Sequence, residues 1–196
     1  MTTGFAGPPP VTIPDADQAR LLELARTAVA VAAGARPADA LDATLRAGTL
    51  PDFPAAAFVT LLRDDDLRGC MGTLDPDGPA WSAVTETARW AATRDPRFRP
   101  LEARELPGME IDVSILGPLV PHDDPAAFRP GIDGIVIERD GRRGLLLPEV
   151  AEQVGLGPTD MLDAVCHKAG LRTAAWREPG TRLWVFRTLR FGGPAT

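Results

Sequence analysis

The dipeptide Asp140-Gly141 sits between two short apolar runs, Ile135-Val136-Ile137 and Leu145-Leu146-Leu147. A two-residue connection of this kind needs positive φ at both central positions, which Asp and Gly tolerate, and it folds one strand back on the next. The chain is therefore committed to antiparallel pairing in at least one place. A second pair of runs makes the same demand earlier. Residues 55–62 are apolar, with Phe58 and Val59 favouring a strand, residues 63–66 read as a turn, and residues 67–74 supply the partner. In residues 109–116, Met109, Ile111, Val113 and Ile115 alternate with Glu110, Asp112 and Ser114, which predicts a half-buried strand. Residues 183–191 alternate again and are predicted as one last strand.

Helical spacing fills the gaps. Asp15 or Asp17 is expected to cap a helix reaching about Ala33, with Leu21, Leu24, Ala25, Ala28, Val29 and Ala32 on one face and Gly34 after it. A short helix is predicted over 38–47. A third opens at Gly78-Pro79 and runs to about Ala92, anchored by Trp81 with Val84, Ala88 and Ala91. Residues 101–106 read as a helical turn, and 158–169 as a helix closed by Gly170. Residues 93–100 and 117–131 read as proline-bearing loops. Hairpins, isolated strands and intervening helices predict an α+β fold, with a largely antiparallel sheet and flanking helices.

Composition narrows the function. Hydrophobic residues make up 44% of the 196, enough for a globular core, and charged residues 24%. Lys168 is the one lysine among 21 basic residues, and tyrosine is absent. The arginine excess thus reads as coding bias. The net charge of −6 repels a phosphate backbone, and no nucleic-acid-binding signature appears, so nucleic acid is disfavoured as a partner. No apolar run approaches the roughly 20 residues that cross a bilayer, and the first 14 residues lack the features of a signal peptide. Their prolines, Pro8-Pro9-Pro10 and Pro14, predict an extended tail over 1–14, followed by one domain over 15–192. With two cysteines 96 positions apart and two histidines, the chain offers no recognisable metal-ligand set and reads as a cytoplasmic protein with two free thiols.

The stretch Leu67-Arg68-Gly69-Cys70-Met71-Gly72-Thr73-Leu74 carries the most chemistry. Glycines give Cys70 little cover, and on a regular strand Arg68 would share its face, where a guanidinium favours thiolate. The competing reading is a small residue buried in a tight strand. Arg68, Arg94, Arg97 and Arg99 can converge on a carboxylate or phosphate, with Asp95 orienting one of them. Alternatively they pair internally with Asp64, Asp65, Asp66, Glu86 or Glu102. The acidic run 64–66 reads as a solvated hairpin tip, His122-Asp123-Asp124 as a surface loop, and His167 as a basic residue suited to a helix C-terminus.

Several blocks together resemble the AMMECR domain family. They are the stretch around Cys70, Arg94-Asp95-Pro96-Arg97-Phe98, Glu110 to Pro118 (EIDVSILGP), Gly134 to Pro148 (GIVIERDGRRGLLLP) and Ala164 to Leu171 (AVCHKAGL). Trp176 and the final strand also fit. Met71 stands where the family usually has Ile, and His167 where Arg is commoner. The resemblance covers about residues 17–191. It implies an α+β fold with a larger and a smaller subdomain, and names neither a reaction nor a cofactor. Bacterial members are labelled protein A of the AmmeMemoRadiSam system, which implies a Memo-like protein and a radical SAM protein as partners. Two readings follow. In one, the chain is a binding or adaptor component with a site for an anion or small ligand built from Arg68, Gly69, Gly72, Thr73, Arg94, Asp95, Arg97 and Phe98. In the other, it is an enzyme using Cys70 as nucleophile or redox thiol.

Overall fold

The computed structural model describes residues 7–196, apart from the side chain of Ala126, and the chain divides into two compact units. The larger comprises Thr12–Leu116 and Leu189–Thr196. The smaller comprises Gly117–Thr188 and the described residues up to Val11. The fold is α+β, with two open, four-stranded antiparallel sheets and five α-helices among the described residues. None of these helices is long and apolar enough to cross a membrane.

In the larger unit, β1 (Ala56–Arg63) and β2 (Asp66–Thr73) form the first hairpin. Asp64 and Asp65 turn it with φ of 53° and 66°, so the acidic run is an exposed tip. β1 also pairs with β3 (Met109–Leu116), and β8 (Thr188–Pro194) completes the order β2-β1-β3-β8. One face presents Ala57, Val59, Leu61, Ile111, Val113 and Ile115, all buried, as strand alternation requires. Helices α1 (Asp15–Ala32) and α3 (Ala80–Thr93) pack on the sheet, and α2 (Asp39–Arg46) lies against α1. The opposite face carries Phe58, Thr60, Cys70, Asp112 and Ser114.

Two helix details depart from expectation. Pro14 is the N-cap of α1, and Asp15 and Asp17 lie inside its first turn, where they face the positive end of the helix dipole. Trp81 is only half-buried. The buried face of α3 is instead made of Ala80, Ala83, Val84, Ala88, Ala91 and Ala92 with two threonines. Small residues bring the helix backbone close to β2: a methyl group added at Gly69 would meet the Ala91 carbonyl oxygen at 2.4 Å.

In the smaller unit, β5 (Gly134–Arg139) and β6 (Arg142–Leu146) form the Asp140-Gly141 hairpin, with φ of 50° and 72°. With β4 (Val120–Pro121) and β7 (Arg182–Phe186) they give the order β4-β7-β5-β6. Helix α5 (Pro158–Lys168) covers one face, and Met161, Leu162, Val165 and Cys166 meet Ile135, Ile137, Leu183 and Val185 there. The short strand β4 and the helix α4 (Pro148–Val154) were not legible as elements in the sequence. The expected single strand over 183–191 is two strands, β7 and β8, which join different sheets on either side of Arg187.

Candidate functional site

β2 is an edge strand, so alternate backbone groups point away from the sheet without a strand partner. Cys70 is one of those positions. Its N–H donates to Asp95 Oδ2 at 2.8 Å, and its C=O accepts from Arg97 Nη2 at 3.5 Å. Asp95 and Arg97 thereby stand in for a neighbouring strand. They reach the edge because α3 ends at Thr93 and the chain turns at once, with the Phe98 N–H donating to the Asp95 carbonyl. Asp95 also fixes the turn itself. Its Oδ1 accepts the Arg97 N–H at 3.1 Å and Nε at 2.9 Å, and its Oδ2 accepts Nη2 at 2.7 Å. The buried Asp95 carboxyl is pushed down to about 2. The Arg97 guanidinium is the main cause, burial opposes it, and the Cys70 amide adds to it.

The Cys70 side chain points to the face away from the helices and is half-buried. Thr60 stands opposite in β1, and its hydroxyl donates to Sγ at 3.3 Å. The next residue in that row is Asp112 of β3, which is ion-paired with Arg190 of β8. Thr60, Asp112 and Arg190 belong to this polar row and were not singled out in the sequence. Part of the signal was available: Asp112 falls at a polar position of the alternating run 109–116, and Thr60 is the one polar residue in the apolar run 55–62.

Arg68 does not sit where a regular strand would place it. The register shifts between Leu61 and Leu62, so Leu61 pairs with Gly69 and Leu62 with Leu67, and Arg68 is passed over. Its guanidinium instead makes a paired contact with the buried Glu105, Nε to Oε1 at 2.9 Å and Nη2 to Oε2 at 3.1 Å. Nη2 also donates to the Arg99 carbonyl. Glu105 additionally accepts the Glu102 N–H, and Arg68 is the main reason its carboxyl lies below the usual range. Glu105, absent from the expected pairing partners, is the acid that holds Arg68. The Phe98 ring lies 5.7 Å from the Arg68 guanidinium and 5.5 Å from that of Arg97, and so bridges the two ion pairs.

The remaining residues of the expected site fall around this core. Gly69 is buried against α3, and a methyl group at Gly72 would enter the Phe58 ring at 2.2 Å. Both glycines therefore have a packing reason to be small. Thr73 ends β2, its hydroxyl accepting the Asp75 N–H. Arg94 and Arg99 are exposed on the same loop. His122 is buried, contrary to a surface-loop reading, and burial lowers its pKa, while Asp123 and Asp124 are exposed. His167 lies in the last turn of α5 and contacts the Thr173 hydroxyl. Neither Cys70 nor Cys166 is in a disulfide. Cys166 is fully buried, which pushes its thiol up.

An α+β chain of two antiparallel sheets, with a glycine-flanked cysteine clamped at a sheet edge, defines the class. The AMMECR1 family model matches residues 22–191. The chain belongs to the AMMECR1 family. A protein of Aeropyrum pernix is 39% identical over 194 residues, spanning 92% of this chain and 81% of that one. A protein of Methanothermobacter thermautotrophicus is 41% identical over 140 residues, 68% of this chain and 73% of that one. The crystal structure of an uncharacterised protein from Pyrococcus horikoshii is similar with a TM-score of 0.79 at 29% identity, covering 88% of this chain and 89% of that chain.

Proposed function

We propose that this chain is a cytoplasmic binding component of a three-part system, working with a Memo-like protein and a radical SAM protein. In this reading the β2 edge holds a small anionic ligand beside Cys70. One observation supports the ligand site. Arg97 commits Nε and Nη2 to Asp95, yet its side chain remains 48% exposed next to the Cys70 backbone. Its position is fixed by a buried carboxylate, so little side-chain freedom is lost when an anion arrives. Exposed Arg94 and Arg99 add positive field on the same loop. Arg68 is held by Glu105 and acts as support for Phe98 and the strand. The partners rest on the family resemblance, and a reducing compartment suits two cysteines outside any disulfide. Affinity capture of the chain at native levels is expected to retain one or both partners. Titration with inorganic phosphate is expected to show saturable binding that Arg97→Ala weakens about ten-fold or more. Capture of neither partner, together with phosphate binding unchanged by Arg97→Ala, would sink the reading.

The enzyme alternative rests on a different observation: the Thr60 hydroxyl of β1 is directed at Cys70 Sγ, while Arg97 meets the Cys70 carbonyl from the free edge of β2. A hydroxyl donor and a nearby cation favour sulfur that carries negative charge. Alkylation by iodoacetamide across pH separates the readings, with Cys166 as internal control. If Cys70 reacts with a midpoint well below about 8.5 and Cys70→Ser abolishes complementation without loss of stability, the enzyme reading leads. If Cys70 reacts only after unfolding, its thiol is packing.

A further inference from the structure

The smaller unit contains a cleft of about 320 Å³ that none of the Cys70 chemistry uses. Its apolar walls include two half-buried tryptophans, Trp176 and Trp184, with Pro121 and Pro125 beside them. Both indoles are held in place. Trp176 Nε1 donates to Asp163 Oδ1 at 2.8 Å, and the same oxygen accepts the N–H of Ala174, a non-glycine residue at φ 61°. A left-handed alanine directly before the Ala175–Arg177 turn is strain that the Asp163 contacts compensate, and the outcome is a fixed ring. Trp184 lies 5.4 Å from the Arg182 guanidinium and 6.0 Å from that of Arg143, and Arg182 is itself ion-paired with Glu138.

The polar lining has mixed sign. Asp123 accepts only and Arg182 donates only, and beside them lies the His122 ring, whose burial lowers its pKa. A carboxylate ligand would meet Asp123, and a quaternary ammonium would meet Arg182 at the rim and Arg177 over Trp176 at 4.3 Å. Neither single charge suits the cleft. A neutral, flat ring with both donors and acceptors on its edge does. The volume lies at the small end of the roughly 300–1,000 Å³ usual for ligand sites, enough for one such ring system. We propose that this cleft binds a nucleobase-type heterocycle, stacked on tryptophan, with Asp123 accepting from its amino edge and Arg182 donating to its carbonyl or ring-nitrogen edge.

The four tryptophans allow a direct test on the intact chain. Trp81 and Trp90 lie on α3 in the larger unit and serve as internal controls for Trp176 and Trp184. Adenosine or guanosine is expected to move the indole N–H NMR signals of Trp176 and Trp184 saturably and to leave those of Trp81 and Trp90 in place. Benzoate and tetramethylammonium are expected to move none. Trp184→Leu should weaken nucleoside binding about ten-fold or more, the scale of a lost base–aromatic stack. Asp123→Ala, at an exposed position that leaves the core intact, should weaken it several-fold and keeps the test valid if the tryptophan variant misfolds. No saturable shift up to about 10 mM nucleoside overturns the proposal, as does a stronger response to either charged probe or binding unchanged in Asp123→Ala. A short oligonucleotide that binds more tightly than its nucleoside, and loses that advantage with salt, assigns the base to a strand. Equal binding assigns it to a free nucleoside.

Discussion

Asp95 gathers more of the Cys70 region than any other side chain, and its replacement has a definite expected signature. Its carboxyl is depressed from the ordinary value to about 2. A depressed carboxyl contributes stability that is present above its unfolded value near 3.9 and is lost as pH falls towards 2. Urea unfolding of the wild type should therefore weaken between about pH 4 and pH 2, by an amount on the order of 1 kcal/mol once screening at half-exposed Arg97 is allowed for. Asp95→Asn should be less stable at neutral pH and should lack that segment of the pH profile. Parallel profiles for the two proteins would refute this account of the clamp. The Arg68–Glu105 pair is more deeply buried, with side-chain exposures of 13% and 11%. Glu105→Ala strands a buried guanidinium and should cost about 3 kcal/mol, whereas Arg68→Met combined with Glu105→Leu should recover most of the loss. Chemical denaturation of the two variants decides it.

At the scale of elements, the two glycines flanking Cys70 meet different neighbours and should respond differently to alanine. Gly69 faces a fixed helix carbonyl, so Gly69→Ala must push β2 away from α3, and a loss of about 1–3 kcal/mol is expected. Gly72 faces the Phe58 ring, a side chain on the half-buried face that has room to turn, so Gly72→Ala should cost less. Equal melting temperatures for the two variants would contradict this ranking. The sequence made the glycines visible as markers of close approach, yet it did not reveal what approaches. Strand alternation and hairpin turns are local, and so β1, β2, β3, β5 and β6 were all legible. The α3 anchor was not. Trp81 and Trp90 are the bulkiest side chains on the helix, but the approach of α3 to β2 is set by the Ala91 carbonyl over Gly69, and the buried face of α3 is built mostly of alanines.

At the scale of the whole molecule, the final alternating run serves two sheets. β8 covers the edge of β3, the Arg190–Asp112 pair crosses that boundary, and the Ala195 N–H reaches the Met109 carbonyl. A chain ending before Leu189 should therefore expose the β3 edge and lose solubility or protection in the larger unit. Hydrogen exchange of β3 amides would register that loss, and unchanged protection would argue that β8 is dispensable. By itself the sequence determined antiparallel pairing through period-2 alternation and Asp-Gly or Asp-Asp turns, helix positions through helical spacing, and the family through its motif blocks, because each is written in neighbouring residues. The tertiary structure alone decided that residues 183–191 part at Arg187, that Arg68 turns to Glu105 instead of Cys70, and that Asp95 with Arg97 completes the β2 edge. Those outcomes join residues 25 or more positions apart, and the competition among them is settled by burial and unsatisfied backbone groups that no local pattern records.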